Sequence, residues 1–244
     1  MAKKEVSEIK RLRRPGDPVI VNSKAYGKHE RSPRYTYTPK TVSPALRKFA
    51  ELNTQANRIA KAINDAFKPF KEEIKDGTMW SRLVGIIKKN LSANPMPDLQ
   101  FLTEFEFNEK LHFSRTYKAS MSFTIKDANL KVAIRSASAD SINKFKASHY
   151  EQTLVVVFMN RDFITVTNTH RSLFPVDRRE EPKKRGRAQT YNYDYHNDTA
   201  QFGVPANTTI ILIGVKCKPL KDGVCKTPSG SGFTVLGVLE TVVE

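Results

Sequence analysis

From Leu154 to Met159 the chain runs Leu-Val-Val-Val-Phe-Met without a polar break. After Asn160-Arg161-Asp162 the pattern changes to Phe163, Ile164 and Val166 with threonines between. A continuous apolar run followed by alternation predicts a buried strand, a turn, and a second strand with one wet face, the hairpin at the middle of the fold. Upstream the period is different. Leu46, Phe49, Leu52, Ala56, Ile59, Ile63, Phe67 and Phe70 recur every three or four residues, an apolar stripe on one face of a helix. Ser43-Pro44 is its predicted start, with serine as cap and proline at the first helical position, and Pro69 its predicted end or kink. After Asp76-Gly77, Thr78 is the expected cap of a second helix with a stripe of Trp80, Leu83, Ile87 and Leu91, antiparallel to the first. The outer face, with Arg47, Lys48, Arg58, Lys61, Lys68, Lys71, Lys88 and Lys89, reads as solvated.

The connector Ser92-Ala-Asn-Pro-Met-Pro-Asp98 closes the helical part, and from Leu99 the period becomes two. Phe101, Thr103, Phe105 and Phe107 are expected on one face of a strand. Ser120 to Ile125 and Leu130 to Ile134 form a further pair around the turn-type sequence Lys126-Asp-Ala-Asn129. The central hairpin is followed by a polar insertion at 175–197, then by strands over Thr208–Cys217 and Phe233–Val243. Strands joined by short turns without intervening helices pair antiparallel. The fold class expected is mainly β (α+β): an extended basic arm over 1–40, with one short strand at Val19-Ile20-Val21, a helical hairpin over 41–92, and an antiparallel β-sandwich over 99–244.

Charge alters this picture at the periphery. The 244-residue chain carries 41 Lys+Arg against 25 Asp+Glu, a net +16, which attracts polyanions and says nothing about fold. Residues 1–40 hold 11 basic and 4 acidic residues, including Lys10, Arg11, Arg13 and Arg14. Within Arg31-Ser-Pro-Arg-Tyr-Thr-Tyr-Thr-Pro-Lys40, Arg34 and Tyr35 place a cation beside an aromatic ring. That pattern suits an arm that contacts phosphates and stacks on bases, and it suits equally an arm that packs on a neighbouring subunit. The insertion repeats the theme: 178–187 holds six basic and two acidic residues, among them Lys183, Lys184, Arg185 and Arg187, ahead of Tyr191, Tyr193 and Tyr195. These ten residues are the candidate polyanion contacts.

The remaining constellations point away from chemistry. Asp194, His196 and Asp198 alternate and would share a face in a strand, yet three ligands of mixed hardness at spacing two match no common metal site, and a hydrated loop is expected there. His29, His112, His149 and His170 are scattered, with no serine or cysteine in a nucleophile turn. Gly230-Ser-Gly232 lacks the ending of a phosphate-binding loop. Cys217 and Cys225 flank Asp222-Gly223, where a crosslink is geometrically feasible, and are expected as reduced thiols. No catalytic residue, metal or cofactor is expected. Met1 leads into AKKEVSEIKRLRR with no apolar segment, and the longest apolar runs are a third of a membrane span, so no secretory signal or spanning helix is visible and cytoplasmic synthesis is the expectation.

The order of parts carries one resemblance. A basic Lys/Pro-rich start, Thr41-Val-Ser-Pro44 opening a long helix, NPMPDLQF leading into strands, TTIILIGVKC, a KDG turn and a closing GFTVLGVL together resemble an uncharacterised family of Bacteroidota proteins with a helical hairpin and β-sandwich domains. The resemblance implies layout and no chemistry, and the 175–197 insertion departs from it. The function expected is that of a non-catalytic structural or assembly protein whose partner is itself, making subunit contacts through the arm, with basic segments meeting a polyanion. The alternative is a nucleic-acid-binding protein that reads no sequence.

Overall fold

A strand with apolar side chains on both faces must lie between two covering layers, and that requirement organises this protein. The computed structural model describes residues 19–23, 27–31, 42–74, 76–93, 99–138, 147–176, 195–225 and 231–240. The chain divides into two compact units, residues 1–49 and 50–244. In the first, β1 (Val19–Ser23) and β2 (Gly27–Arg31) form an antiparallel pair, so the short strand expected at 19–21 has a partner.

The helical hairpin is α1 (Pro44–Lys71) and α2 (Met79–Ala93). Ser43 Oγ accepts from Leu46 N at 3.3 Å, which makes it the cap the sequence predicts. Proline at 69 leaves only two further helical residues. The buried stripe is narrower than expected, since Leu46 and Phe49 are about half exposed. In α2 it runs through Met79, Leu83, Ile87 and Leu91, one position off the expected Trp80, which is exposed. Thr78 donates its hydroxyl to Asp76 Oδ1 instead of capping the helix with it. Among the described residues no helix is long and apolar enough to cross a membrane.

Seven strands follow: β3 (Tyr117–Lys126), β4 (Asn129–Ser138), β5 (His149–Met159), β6 (Thr165–Pro175), β7 (His196–Gly203), β8 (Ile210–Leu220) and β9 (Gly232–Glu240). They make two antiparallel sheets, β3-β4-β7 and β6-β5-β8-β9. The fold is α+β, a helical hairpin followed by an antiparallel β-sandwich. The four-stranded sheet is the middle layer. Val155, Val157, Met159 and Leu212 pack with Ile59, Ile63, Phe67, Leu83 and Ile87 of the helices. Leu154, Val156, Phe158, Ile211 and Ile213 turn the other way, against Leu130, Val132, Ile134, Ala200 and Phe202 of the small sheet. This double burial is why β5 and β8 carry continuous apolar runs instead of alternation.

The outer strands differ in how their free edges are treated. The expected strand over 101–107 is instead a 3-10 turn (Gln100–Leu102) and an irregular segment, broken by positive φ at Leu99 and Glu104. It lies along the edge of β9: Glu104 N donates to Val235 O (2.8 Å), Val235 N to Phe105 O (3.1 Å), and Phe107 N to Phe233 O (2.9 Å). The short helix α3 (Phe113–Thr116) finishes the cover. Gly232 allows this approach, because a Cβ there would stand 2.8 Å from Phe113 Cα. In the small sheet, β3 pairs with β4 alone among the described residues. Its tight turn to β4 holds both Asp127 and Ala128 at positive φ, the geometry that matches strand twist. The second strand of the central hairpin begins later than predicted, because Phe163 (φ 62) and Ile164 belong to the connection, where Asn160 Oδ1 accepts from Asp162 N and Ile164 N.

Candidate functional site

The structure places none of the ten predicted polyanion contacts. Lys10, Arg11, Arg13, Arg14, Arg34, Tyr35, Lys183, Lys184, Arg185 and Arg187 all lie outside the described residues. The chemistry it does bring together sits where the free edges of β6 and β7 approach each other, one from each sheet.

Residues paired across β5 and β6 share a face, so Ser172 opposite Gln152, His170 opposite Leu154 and Asn168 opposite Val156 all turn toward the small sheet. On β7 the alternate residues His196, Asp198, Ala200 and Phe202 face back, the last two within the sandwich core. The segment expected as a hydrated loop is thus in part a strand: His196 and Asp198 do point the same way, but Asp198 meets β6. Its Oδ1 accepts from His170 Nε2 at 3.1 Å. Its Oδ2 accepts from Ser172 Oγ and, at 3.5 Å, from Gln152 Nε2. Next to this, His196 stacks on Phe174 with ring centroids 5.1 Å apart, and Phe174 in turn lies 5.3 Å from Tyr150. The two edges are zipped at this end.

Beyond His170 the edges part into a cleft of about 490 Å³ lined by Thr167, Asn168, Thr169, His170, Ala200, Gln201, Phe202 and Gly203. Gln152 is fully buried, and its Oε1 has no hydrogen-bond partner among the described residues. Ser172 donates to the carboxylate and not to the imidazole, so the three side chains do not form a relay that would activate the serine as a nucleophile. Among the described residues no group of three or more His, Cys, Asp and Glu side chains is placed to hold a metal ion. Sequence spacing could not have found this cluster, because Asp198 reaches its partners from 26 and 28 residues away; the one available signal was the shared strand face of His170 and Ser172.

Two other places hold perturbed groups. A second cleft of about 490 Å³ lies at the turn between the helices, where Lys68, Lys71, Glu72 and Asp76 are among the lining residues. Burial lowers the Lys71 amine, which donates to Asn64 Oδ1. Glu106 is more unusual. Burial pushes its carboxyl up to about 7, although Oε1 accepts from Phe113 N at 3.0 Å, and Oε2 is buried without a partner among the described residues. A carboxyl near neutrality can signal catalysis, but this one holds the start of α3 against β9. Between the ordinary value of 4.5 and about 7 the native state keeps a proton that the unfolded chain has lost, so stability falls as pH rises across that window. Glu106→Gln is therefore expected to melt above the wild type at pH 8 and to converge with it near pH 4.5, in melts recorded across pH. A wild-type curve that already rises from pH 5 to 7 with no change in the variant would contradict this.

Both cysteines are free. Burial pushes the Cys217 thiol up, which leaves it unreactive. No protein-family profile and no curated protein matches this chain in sequence.

Proposed function

We propose that this chain is a non-catalytic structural protein that assembles with copies of itself, the arm of residues 1–40 in one copy meeting an uncovered sheet edge of the next, while basic segments contact a polyanion. The observation that carries the reading is the edge of β3. Ten residues long, it is paired on one side only among the described residues, and its inward-facing Phe123 and Ile125, opposite Val132 and Leu130, are 46% and 41% exposed. Among the described residues the edge of β9 is covered by 99–116 and that of β3 by none, and bare strand edges with apolar side chains are templates for another chain. Charge sets the conditions. Copies at +16 repel one another, so assembly strengthens with salt or with a bound polyanion.

Light scattering on the full chain tests this at high protein concentration. Oligomers are expected that grow from low to high salt, and that shrink when residues 1–40 are removed or when Phe123→Asp is introduced with little change in melting temperature. A monodisperse monomer throughout would end the proposal. The second reading, a nucleic-acid binder that reads no sequence, is favoured by the 11 basic against 4 acidic residues of the arm. It predicts the opposite salt response, a linear loss of log affinity for DNA or RNA with log salt.

A further inference from the structure

We infer that the cleft between β6 and β7 is a binding site for a neutral, polyhydroxylated ligand, a short uncharged oligosaccharide. Its volume of about 490 Å³ falls within the usual range for small-molecule sites. In a chain of net charge +16 the cleft lining holds no Lys, Arg, Asp or Glu, and His170 is its one titratable residue. Asn168 turns its carboxamide to this side, and a carboxamide, like a sugar hydroxyl, both offers donors and accepts. His170 adds an oriented ring edge, because the Asp198 carboxylate accepts from its Nε2 and fixes the imidazole. Asp198 is itself anchored by Ser172 and Gln152. Among the described lining residues an anion would find donors but no Lys or Arg to neutralise it. A cation would find the nearest carboxylate already engaged by three donors. An extended peptide needs apolar pockets for alternate side chains, and the apolar lining is Ala200 and Phe202, both nearly buried.

The site is rigid where it matters. Its closed end is held by the Asp198 bonds and the Phe174–His196 stack, and both walls are strands of a packed sandwich.

The experiment is a titration of the full chain, followed by backbone amide NMR, with maltotriose, cellotriose, xylotriose and chitotriose, and with a sulfated trisaccharide, inorganic phosphate and a polythreonine peptide as contrasting probes. At least one neutral trisaccharide is expected to saturate, moving amides of 167–170 and 200–203 and leaving the β3 edge unmoved. Asn168→Ala is expected to weaken that binding about tenfold at unchanged melting temperature, the effect of losing one or two hydrogen bonds. His170→Ala is expected to weaken it at least as much. The inference is overturned if none of the four binds at concentrations up to about 10 mM, if the shifts fall elsewhere, or if the sulfated sugar, phosphate or the peptide binds the cleft more tightly. Because the readout is confined to β6 and β7, its outcome is independent of whether the protein assembles.

Discussion

Phe67→Ala is expected to cost about 3–5 kcal/mol of folding stability, the largest effect of any single truncation considered, read as a shift in the denaturant midpoint. Phe67 is fully buried where α1 crosses the middle sheet, 5.0 Å from the Phe107 ring and 5.5 Å from Phe233, which itself stacks on Phe107 at 4.3 Å. Removing it empties the centre of an aromatic group that joins the helices, the cover of β9 and the sheet. A second substitution checks that packing, and not some general fragility, is responsible. A Cβ on Gly214 would stand 2.9 Å from Phe67 Cε1 and 3.1 Å from Phe233 Cε2. Gly214→Ala alone is therefore destabilising, because the ring must move. In the Phe67→Ala background only the Phe233 contact remains, so the cost of the added methyl shrinks. A double-mutant cycle should return a coupling of about 1–3 kcal/mol. Additive effects would show that the ring is not what fills the space above Gly214.

Asp76→Ala is expected to remove about 2–4 kcal/mol, because one carboxylate serves the whole helical turn. Oδ1 accepts from Thr78 N and Thr78 Oγ, each at 2.8 Å. Oδ2 accepts from Arg82 at 2.7 Å and from Glu109 N at 3.3 Å. Arg82 passes the connection on, donating to Glu106 O and lying over the Phe105 ring. Burial raises the Asp76 carboxyl, but these donors outweigh burial and hold it well below the ordinary value of 3.8. Below that value the unfolded chain takes up a proton that the native state refuses, so stability rises with pH there. Its contribution is complete above about pH 4 and is lost as pH falls. Wild-type melting temperatures should drop steeply below pH 4, and those of Asp76→Asn should drop less. Parallel curves for the two proteins would refute the assignment.

Periodicity made the helices and the central hairpin legible, since long apolar stripes and runs report burial directly. It failed where two geometries bury the same alternation. Phe105 and Phe107 point inward from an irregular segment beside β9, so the period-two signal was real and the strand was not. It also failed for β7, whose sequence His-Asn-Asp-Thr-Ala-Gln-Phe-Gly is polar because only Ala200 and Phe202 of it are buried. The cluster around Asp198 was illegible for a different reason. Its members come from three strands, and the register that aligns them is a property of the folded sheets.

The double burial of β5 has a cost in time. At ordinary rates of translation of 5–20 residues per second, β8 emerges about fifty residues and roughly 3–10 s after β5. Through that interval the nascent chain displays Leu154–Met159, an uncharged and strongly strand-forming hexamer, with β6 available on one side but β8 still missing from the other. Such a segment invites pairing between ribosome-bound copies. The helical hairpin, made first, is in place to shield one face of that strand through the interval, and the face that the small sheet covers in the finished fold is the one left open longest.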